Sequence, residues 1–395
     1  MLRTFSILCA CLIASSMASN DLLDAAGRLL KGLACREDIK SGLTEKIRLG
    51  RAHLDQVDGV PVLHLYGSRI ETARQYGRIL KKPLAALHSY VTTIIPDEML
   101  KPYLAEAALY ERNLPEGFRS ELKAVSEESG MPYPFLLALN VIPKLHCSCF
   151  AAWGGATRDG QMIMGRNMDY PAFGLEDRGS LLVVHHPDKG FPLASVGFIG
   201  MIGSFTGMNV EGVSYGNMLV FNAKHPQYNK DGLPVQYLLR EAAMTCRDAD
   251  SFAKHLLDAQ HLIPMNVLVA DKKKAVVLEL GTDIKSRRNP APGKDYIAAS
   301  NHFRLPQMAE AIPGCDRYAS IVVALEGVEK TIDTEVAQSI LGDSIIQGLN
   351  IQAAIFEPGK MRFKVSVNKI PAAPGPYTAF DLSTLLRCHS QGMPQ

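Results

Sequence analysis

Two thiols, an arginine and an aspartate share one short stretch of this 395-residue chain: Cys147, Cys149, Arg166 and Asp169, in "CSCFAAWGGATRDGQMIMGRNMDYP". A thiolate is a strong nucleophile, and a nearby cation favours it over the thiol. What the stretch lacks is a base. His146 only precedes Cys147, and His302 is far along the chain. A backbone cut between His146 and Cys147 would supply one, because the freed α-amine, with an ordinary pKa of about 7.7–8.0, can take the thiol proton. Asp169 would then orient the amine and Arg166 would bias the thiol toward thiolate.

These residues must be brought together by a hairpin. The runs Cys147–Thr157 and Met162–Tyr170 flank Arg158-Asp159-Gly160, and Asp-Gly is a strong hairpin signal. Folding there returns residues 166–172 to the neighbourhood of Cys147, within reach of opposite and diagonal cross-strand neighbours. The pattern leaves open which face Arg166 takes.

Around this hairpin the chain divides by rhythm. Residues 21–146 read mostly helical. Ala73–Leu87 has helical spacing broken at Pro83, Gly117–Gly130 ends on a glycine C-cap, and Pro134–Ile142 is a short helix. After Cys147, Ser180–His186 and Ala194–Val220 read as strands, the latter turning near Asn209–Gly212. Asn266–Ala270 pairs with Ala275–Glu279 around "DKKK", and the last hairpin turns at Pro358-Gly359. Helices are expected in "VQYLLREAAM", "ADSFAKHLLDA" and "DRYASIVVAL". This is an α+β pattern of sheets covered by helices.

Composition narrows the function. A net charge of +2 gives no electrostatic footprint for nucleic acid or a polybasic membrane surface. With 47% hydrophobic residues, the chain can bury a large core. Its start, "MLRTFSILCACLIASSMASN", has an arginine, an apolar run and a small-x-small site at Ser16-Met17-Ala18, the form of a secretory signal peptide cleaved near Ala18. No other window approaches a membrane span. Of the eight cysteines, Cys9 and Cys11 leave with the leader, and some of the rest should pair in an exported protein. No Asn-x-Ser/Thr sequon is present, which favours a bacterial periplasmic or secreted protein. His146-Cys147-x-Cys149 has no second cluster at metal spacing, so neither metal nor cofactor is expected.

The stretch opening at Cys147, with Gly165-Arg166-Asn167-Met168-Asp169, resembles the start of the nucleophile chain of N-terminal-nucleophile (Ntn) cysteine hydrolases. The nearest branch is penicillin acyltransferase (acyl-CoA:6-aminopenicillanic acid acyltransferase), with choloylglycine hydrolase and acid ceramidase as more distant relatives. "HLYGSRIETARQYGRIL", "ASNHF", "CDRYASI" and "IQAAIFEPGKMRFKVSVNKIPAAPGPYTAFDL" are similar to further blocks of that branch, so the likeness spans nearly the whole chain after the leader. It implies a four-layer αββα sandwich and self-cleavage into a front chain, residues 19–146, and a nucleophile chain, residues 147–395, which stay associated. It implies Cys147 as nucleophile, Arg166 and Asp169 in support, Asn301 as an oxyanion-hole or cleavage-assisting amide, Arg317 as a site arginine, and Asn217 as a second oxyanion contributor. The implied reaction is hydrolysis or acyl transfer at a small-molecule acyl amide through a thioester.

Two departures stand out. The spacing from Cys147 to Asp169 exceeds that of the choloylglycine branch, and Ser148-Cys149 replaces the usual Thr and Ser, which makes Cys149 a rival nucleophile. Two other functions remain open: a bile-salt- or ceramide-type hydrolase of long amphipathic amides, and an inactive secreted binding protein. Phe198, Met201, Phe205, Met208 and Met218 are core residues or the lining of an acyl pocket. If the chain is cut, Cys35 alone could link the halves by a disulfide, with Cys388 as its expected partner.

Overall fold

The computed structural model describes residues 19–141, 146–220, 226–309, 314–326 and 330–387. The expected leader, residues 1–18, lies outside them, as does Cys388.

The front segment departs from the helical reading at its start. A helix, Ser19–Thr44, is followed by three strands, β1 (Ile47–Leu49), β2 (Ala52–Val57) and β3 (Val60–Gly67). Asp58 and Gly59 both take positive φ, 47° and 82°, and Val57 pairs with Val60 across them. This is the two-residue hairpin that Asp-Gly favours, the same signal read at Asp159-Gly160. Helices Arg69–Ile79, Lys81–Ile94, Asp97–Tyr110, Glu116–Ser129 and Tyr133–Val141 follow. Ser68 and Glu71 form a reciprocal capping box at the first, of a kind that stabilises by about 1 kcal/mol. The break expected at Pro83 falls instead at Leu80. Pro83 sits in the first turn of the next helix, where its missing N–H costs no hydrogen bond. Gly130 ends its helix with φ 77°, as expected.

The expected hairpin forms from β4 (His146–Ala152) and β5 (Ile163–Asp169). Its strands are shorter than the apolar runs. The chain does turn at Arg158-Asp159-Gly160, where the Gly160 N–H donates to the Thr157 carbonyl at 3.4 Å and Gly160 takes φ 73°, but the turn lies within a connection running from Ala152 to Ile163. The chain leaves the ladder because other partners take its backbone: Trp153 N–H donates to the Asp295 carbonyl, and Gly155 N–H to the Asp295 carboxylate. Next come β6 (Ser180–Pro187), β7 (Leu193–Phe198), β8 (Thr206–Asn209) and β9 (Ser214–Leu219). Helices Val235–Thr245 and Ala249–Asp258 precede β10 (Met265–Ala270), β11 (Ala275–Leu280), β12 (Lys285–Arg288) and β13 (Tyr296–Ala299). Helices Asp316–Glu326 and Thr334–Gly342 lead to β14 (Asn350–Glu357), β15 (Arg362–Val367), β16 (Thr378–Asp381) and a final helix, Leu382–Arg387.

The strands form two sheets. One has ten strands in the order β1-β2-β3-β6-β7-β8-β9-β10-β11-β12; the other has six, β13-β4-β5-β14-β15-β16. They stack with β4 across β9 and β10, and β13 across β10 and β11. The 69–79, 235–245 and 249–258 helices cover the outer face of the larger sheet, and the 316–326 and 334–342 helices cover the smaller. This is the αββα sandwich, an α+β fold. β3 pairs in parallel with β6, so the larger sheet joins residues of the front segment to residues beyond Cys147. Among the described residues, no helix is long and apolar enough to cross a membrane.

At the sheet–sheet interface Gly216 makes room for Arg166. A β-carbon at Gly216 would lie 2.7 Å from Arg166 Cγ and 2.9 Å from Cys149 Sγ. Arg166 is fully buried and has nowhere to move. Gly216→Ala is therefore expected to cost about 1–3 kcal/mol, the usual penalty for overfilling a packed core. A lower urea midpoint with an unchanged m-value would show it, and an unchanged midpoint would refute it.

Candidate active site

Strand alternation sorts the site into two faces. Cys147, Cys149 and Arg166 point into the space between the sheets, whereas Ser148, Asn167 and Asp169 point to the helices over the smaller sheet. In register, Cys147 faces Met168, Cys149 faces Arg166 and His146 faces Asp169. The face of Arg166, open from sequence, is thus the thiol's face. Its Nη2 donates to Cys147 Sγ at 3.1 Å and to the Asn217 carbonyl at 3.2 Å. Its Nε and Nη1 have no partner among the described residues.

Asp169 reaches Cys147 through Arg317, from the other side of the sheet. Arg317 Nη1 donates to the Cys147 carbonyl at 2.7 Å and lies 3.4 Å from Asp169 Oδ2. Its Nη2 donates to Asn301 Oδ1 at 3.0 Å, and the same oxygen accepts the Cys147 backbone N–H at 2.8 Å. Arg317 lies in the first turn of the 316–326 helix. The helix dipole disfavours a cation there, and the Asp169 carboxylate offsets that.

The structure gathers Cys147, Arg166, Asp169, Asn301 and Arg317 by direct contacts. Asn217 is the exception. Gly216 faces the smaller sheet, so the side chain of Asn217 points the opposite way, to the face on which Tyr215 packs against Phe252. The contact of Asn217 with the site runs through its backbone carbonyl, which accepts from Arg166 Nη2 at 3.2 Å. The Asn301 amide donates one N–H to the Leu219 carbonyl at 2.6 Å. Its side-chain carbonyl accepts from the Cys147 nitrogen at 2.8 Å.

Burial pushes the Cys147 thiol up, while Arg166 and Arg317 pull it back and Asp169 adds to the rise. Burial also pushes the Cys149 thiol up, with only Arg166 opposing, and no hydrogen bond reaches its sulfur among the described residues. Cys149 fills the space against Gly216. His302 is held by Ser300 Oγ at 2.8 Å and pushed down to about 4 by burial and the charges of Arg304 and Arg288. Cys35, Cys147, Cys149, Cys246 and Cys315 are unpaired thiols, so the expected disulfides do not form among the described cysteines.

Sequence reading missed Asn350 at the start of β14, whose Nδ2 donates to Asp169 Oδ1 at 3.0 Å. It also missed a cavity whose lining includes Tyr170, the residue after Asp169 in sequence. A space of about 230 Å³ lies between Tyr170 and Phe198 on one side and the helices carrying Tyr90, Tyr103 and Leu139 on the other. Of the Met/Phe set, only Phe198 lines it; Met201, Phe205, Met208 and Met218 are buried core.

Comparison with known proteins gives the same direction. Residues 156–341 match the model of the family described as acyl-coenzyme A:6-aminopenicillanic acid acyl-transferase. Arg166, Asp169, Asn217, Asn301 and Arg317 lie inside the matched region and Cys147 just before it. Protein dcd1B of Dictyostelium discoideum is 28% identical over 47% of this chain and 43% of its own length. Protein dcd1A of the same organism is 21% identical over 51% and 53%. The chain thus spans about half the length of the curated relatives it matches. Among solved structures, an N-acylethanolamine-hydrolyzing acid amidase ortholog from Caenorhabditis elegans has a TM-score of 0.44 and 16% identity, covering 54% of this chain and 93% of that one. Penicillin V acylase from Agrobacterium tumefaciens has a TM-score of 0.44 and 12% identity, covering 61% and 87%.

Burial raises Asp169 from 3.8 to about 6, against Arg317, Asn350, the Ile346 N–H and Arg166. With a raised folded pKa, its stabilising contribution is complete below its unfolded pKa and is lost as pH rises through about 6. In a Cys147→Ala background, Asp169→Asn should therefore gain stability relative to its Asp169 parent between about pH 4 and pH 7. Urea unfolding at both pH values reads the difference, and a gap independent of pH would contradict it.

Proposed function

We propose that this protein is an exported, self-processing cysteine amidase or acyltransferase acting on small acyl amides. The reading rests above all on the Cys147 backbone nitrogen. Asn301 Oδ1 accepts from it, and Arg317 fixes that oxygen and the Cys147 carbonyl together. A nitrogen held in this way as an amide is already placed to act as an amine once the His146–Cys147 bond is cut.

In the proposed chemistry, the α-amine takes the thiol proton, Arg166 favours the thiolate, and sulfur attacks the substrate carbonyl. The amine then protonates the leaving nitrogen, leaving a thioester on Cys147. Water completes hydrolysis, or an acceptor amine completes transfer. Asp169 acts through Arg317, holding Asn301 against the amine. The apolar cavity beginning at Tyr170 takes the acyl arm. Its lining is predominantly apolar, with a few tyrosine hydroxyls, and favours an acyl group that leaves water at a net hydrophobic gain. Export follows from the leader-like start of the sequence, and after the cut residues 19–146 and 147–395 remain together through the β3–β6 ladder.

Intact-mass analysis with N-terminal sequencing tests the reading. Wild type should contain a chain beginning at Cys147, and Cys147→Ala should remain a single chain without amidase activity. Cys149→Ala should still be cut. A wild-type protein that hydrolyses acyl amides while continuous through position 147 would overturn the mechanism.

A further inference from the structure

The charge state of Asp169 depends on a residue on the neighbouring strand. Along β14, Asn350 pairs with Asp169 but Gln352 pairs with Met168, so Ile351 is an extra residue in the ladder. Such a bulge bends the strand and re-aims the side chains beside it. Here the re-aimed side chain is Asn350, fully buried, with Nδ2 donating to Asp169 Oδ1 at 3.0 Å. Its other end is fixed: Oδ1 accepts the Ala373 N–H at 2.7 Å, and its backbone carbonyl accepts the Ala372 N–H at 3.0 Å. An N–H can only donate, so the atom facing Ala373 must be the oxygen and the atom facing Asp169 must be the nitrogen.

We propose that Asn350 is a positioning residue of the Cys147 site: its amide holds one oxygen of Asp169, turns the other to Arg317, and keeps the carboxyl ionised at working pH. The proposal deepens the reading given above and rests on it for the consequence to activity. Arg317 reaches Asp169 from the 316–326 helix, Arg166 from its own strand, and Cys147 and His146 from β4. Glu335, on the helix packed over β5, is turned to Lys364 at 3.0 Å. Burial works against the ionised form, and the Asn350 N–H is one of few groups opposing it. A neutral Asp169 would leave Arg317 without its counter-charge, and with it the oxygen of Asn301 that holds the Cys147 nitrogen.

The test follows the carboxyl carbon resonance of Asp169 against pH in a Cys147→Ala background, assigned by its loss in Asp169→Asn. In Asn350→Ala the midpoint should move to higher pH, cutting the ionised population at the parent's midpoint by about tenfold, the scale of one lost hydrogen bond to a charged group. Asn350→Asp has the same shape and still accepts from Ala373. It removes the donor and adds a like charge, so it should move the midpoint further and serves if the alanine variant does not fold. In proteins retaining Cys147, the acid limb of the amide-hydrolysis profile should move in the same direction. Asp169 midpoints that coincide in parent and variants would overturn the proposal. The resonance does not require turnover, so a moved midpoint in a protein that neither self-cleaves nor hydrolyses amides would sink the functional reading and leave the role of Asn350 standing.

Discussion

A guanidinium buried between two sheets constrains the rest of this molecule. Arg166 is almost wholly out of water, and a charge so placed costs several kcal/mol unless opposite charge or hydrogen bonds meet it. Two acceptors do so, the Cys147 sulfur and the Asn217 carbonyl, one from each sheet. Both sheets must therefore hold their registers for Arg166 to be tolerated, and Gly216 must lack a side chain for it to fit. The arginine in turn favours the thiolate form of a cysteine that burial alone would keep protonated.

The opposite face of the smaller sheet solves a different problem. Arg317 spans the Cys147 carbonyl, the Asn301 oxygen and the Asp169 carboxylate, using the fixed fork of its guanidinium. Asn350 then grips the far oxygen of Asp169. The cysteine is thus held at its sulfur from one side of the sheet and at its backbone from the other. The sulfur and the backbone of Cys147 meet different arginines, Arg166 on one side of the sheet and Arg317 on the other.

Much of this was legible in sequence because it is local. The β4–β5 hairpin followed from its apolar runs, and the register then set Arg166 and Asp169 beside Cys147. The β10–β11 and β14–β15 hairpins and the helices after residue 230 follow from period and turn residues. The β1–β3 meander was missed although Asp58-Gly59 announces it, because the helical runs on either side dominate the reading. The direction of the Asn217 side chain was not legible for a different reason. Its neighbours match a site pattern, but a strand sends adjacent side chains to opposite faces, and which face is inward depends on the partner sheet.

The sequence by itself determined the reactive residue types, their hairpin and the helix and strand periods, since these depend on near neighbours and backbone geometry. Only the tertiary structure decided the face of Arg166, the direction of the Asn217 side chain, the joining of Asn301 and Arg317 to a cysteine 154 and 170 residues earlier, and the grip of Asn350 on Asp169. Each of these depends on stacking order and register between strands distant in the chain, and no local preference encodes that.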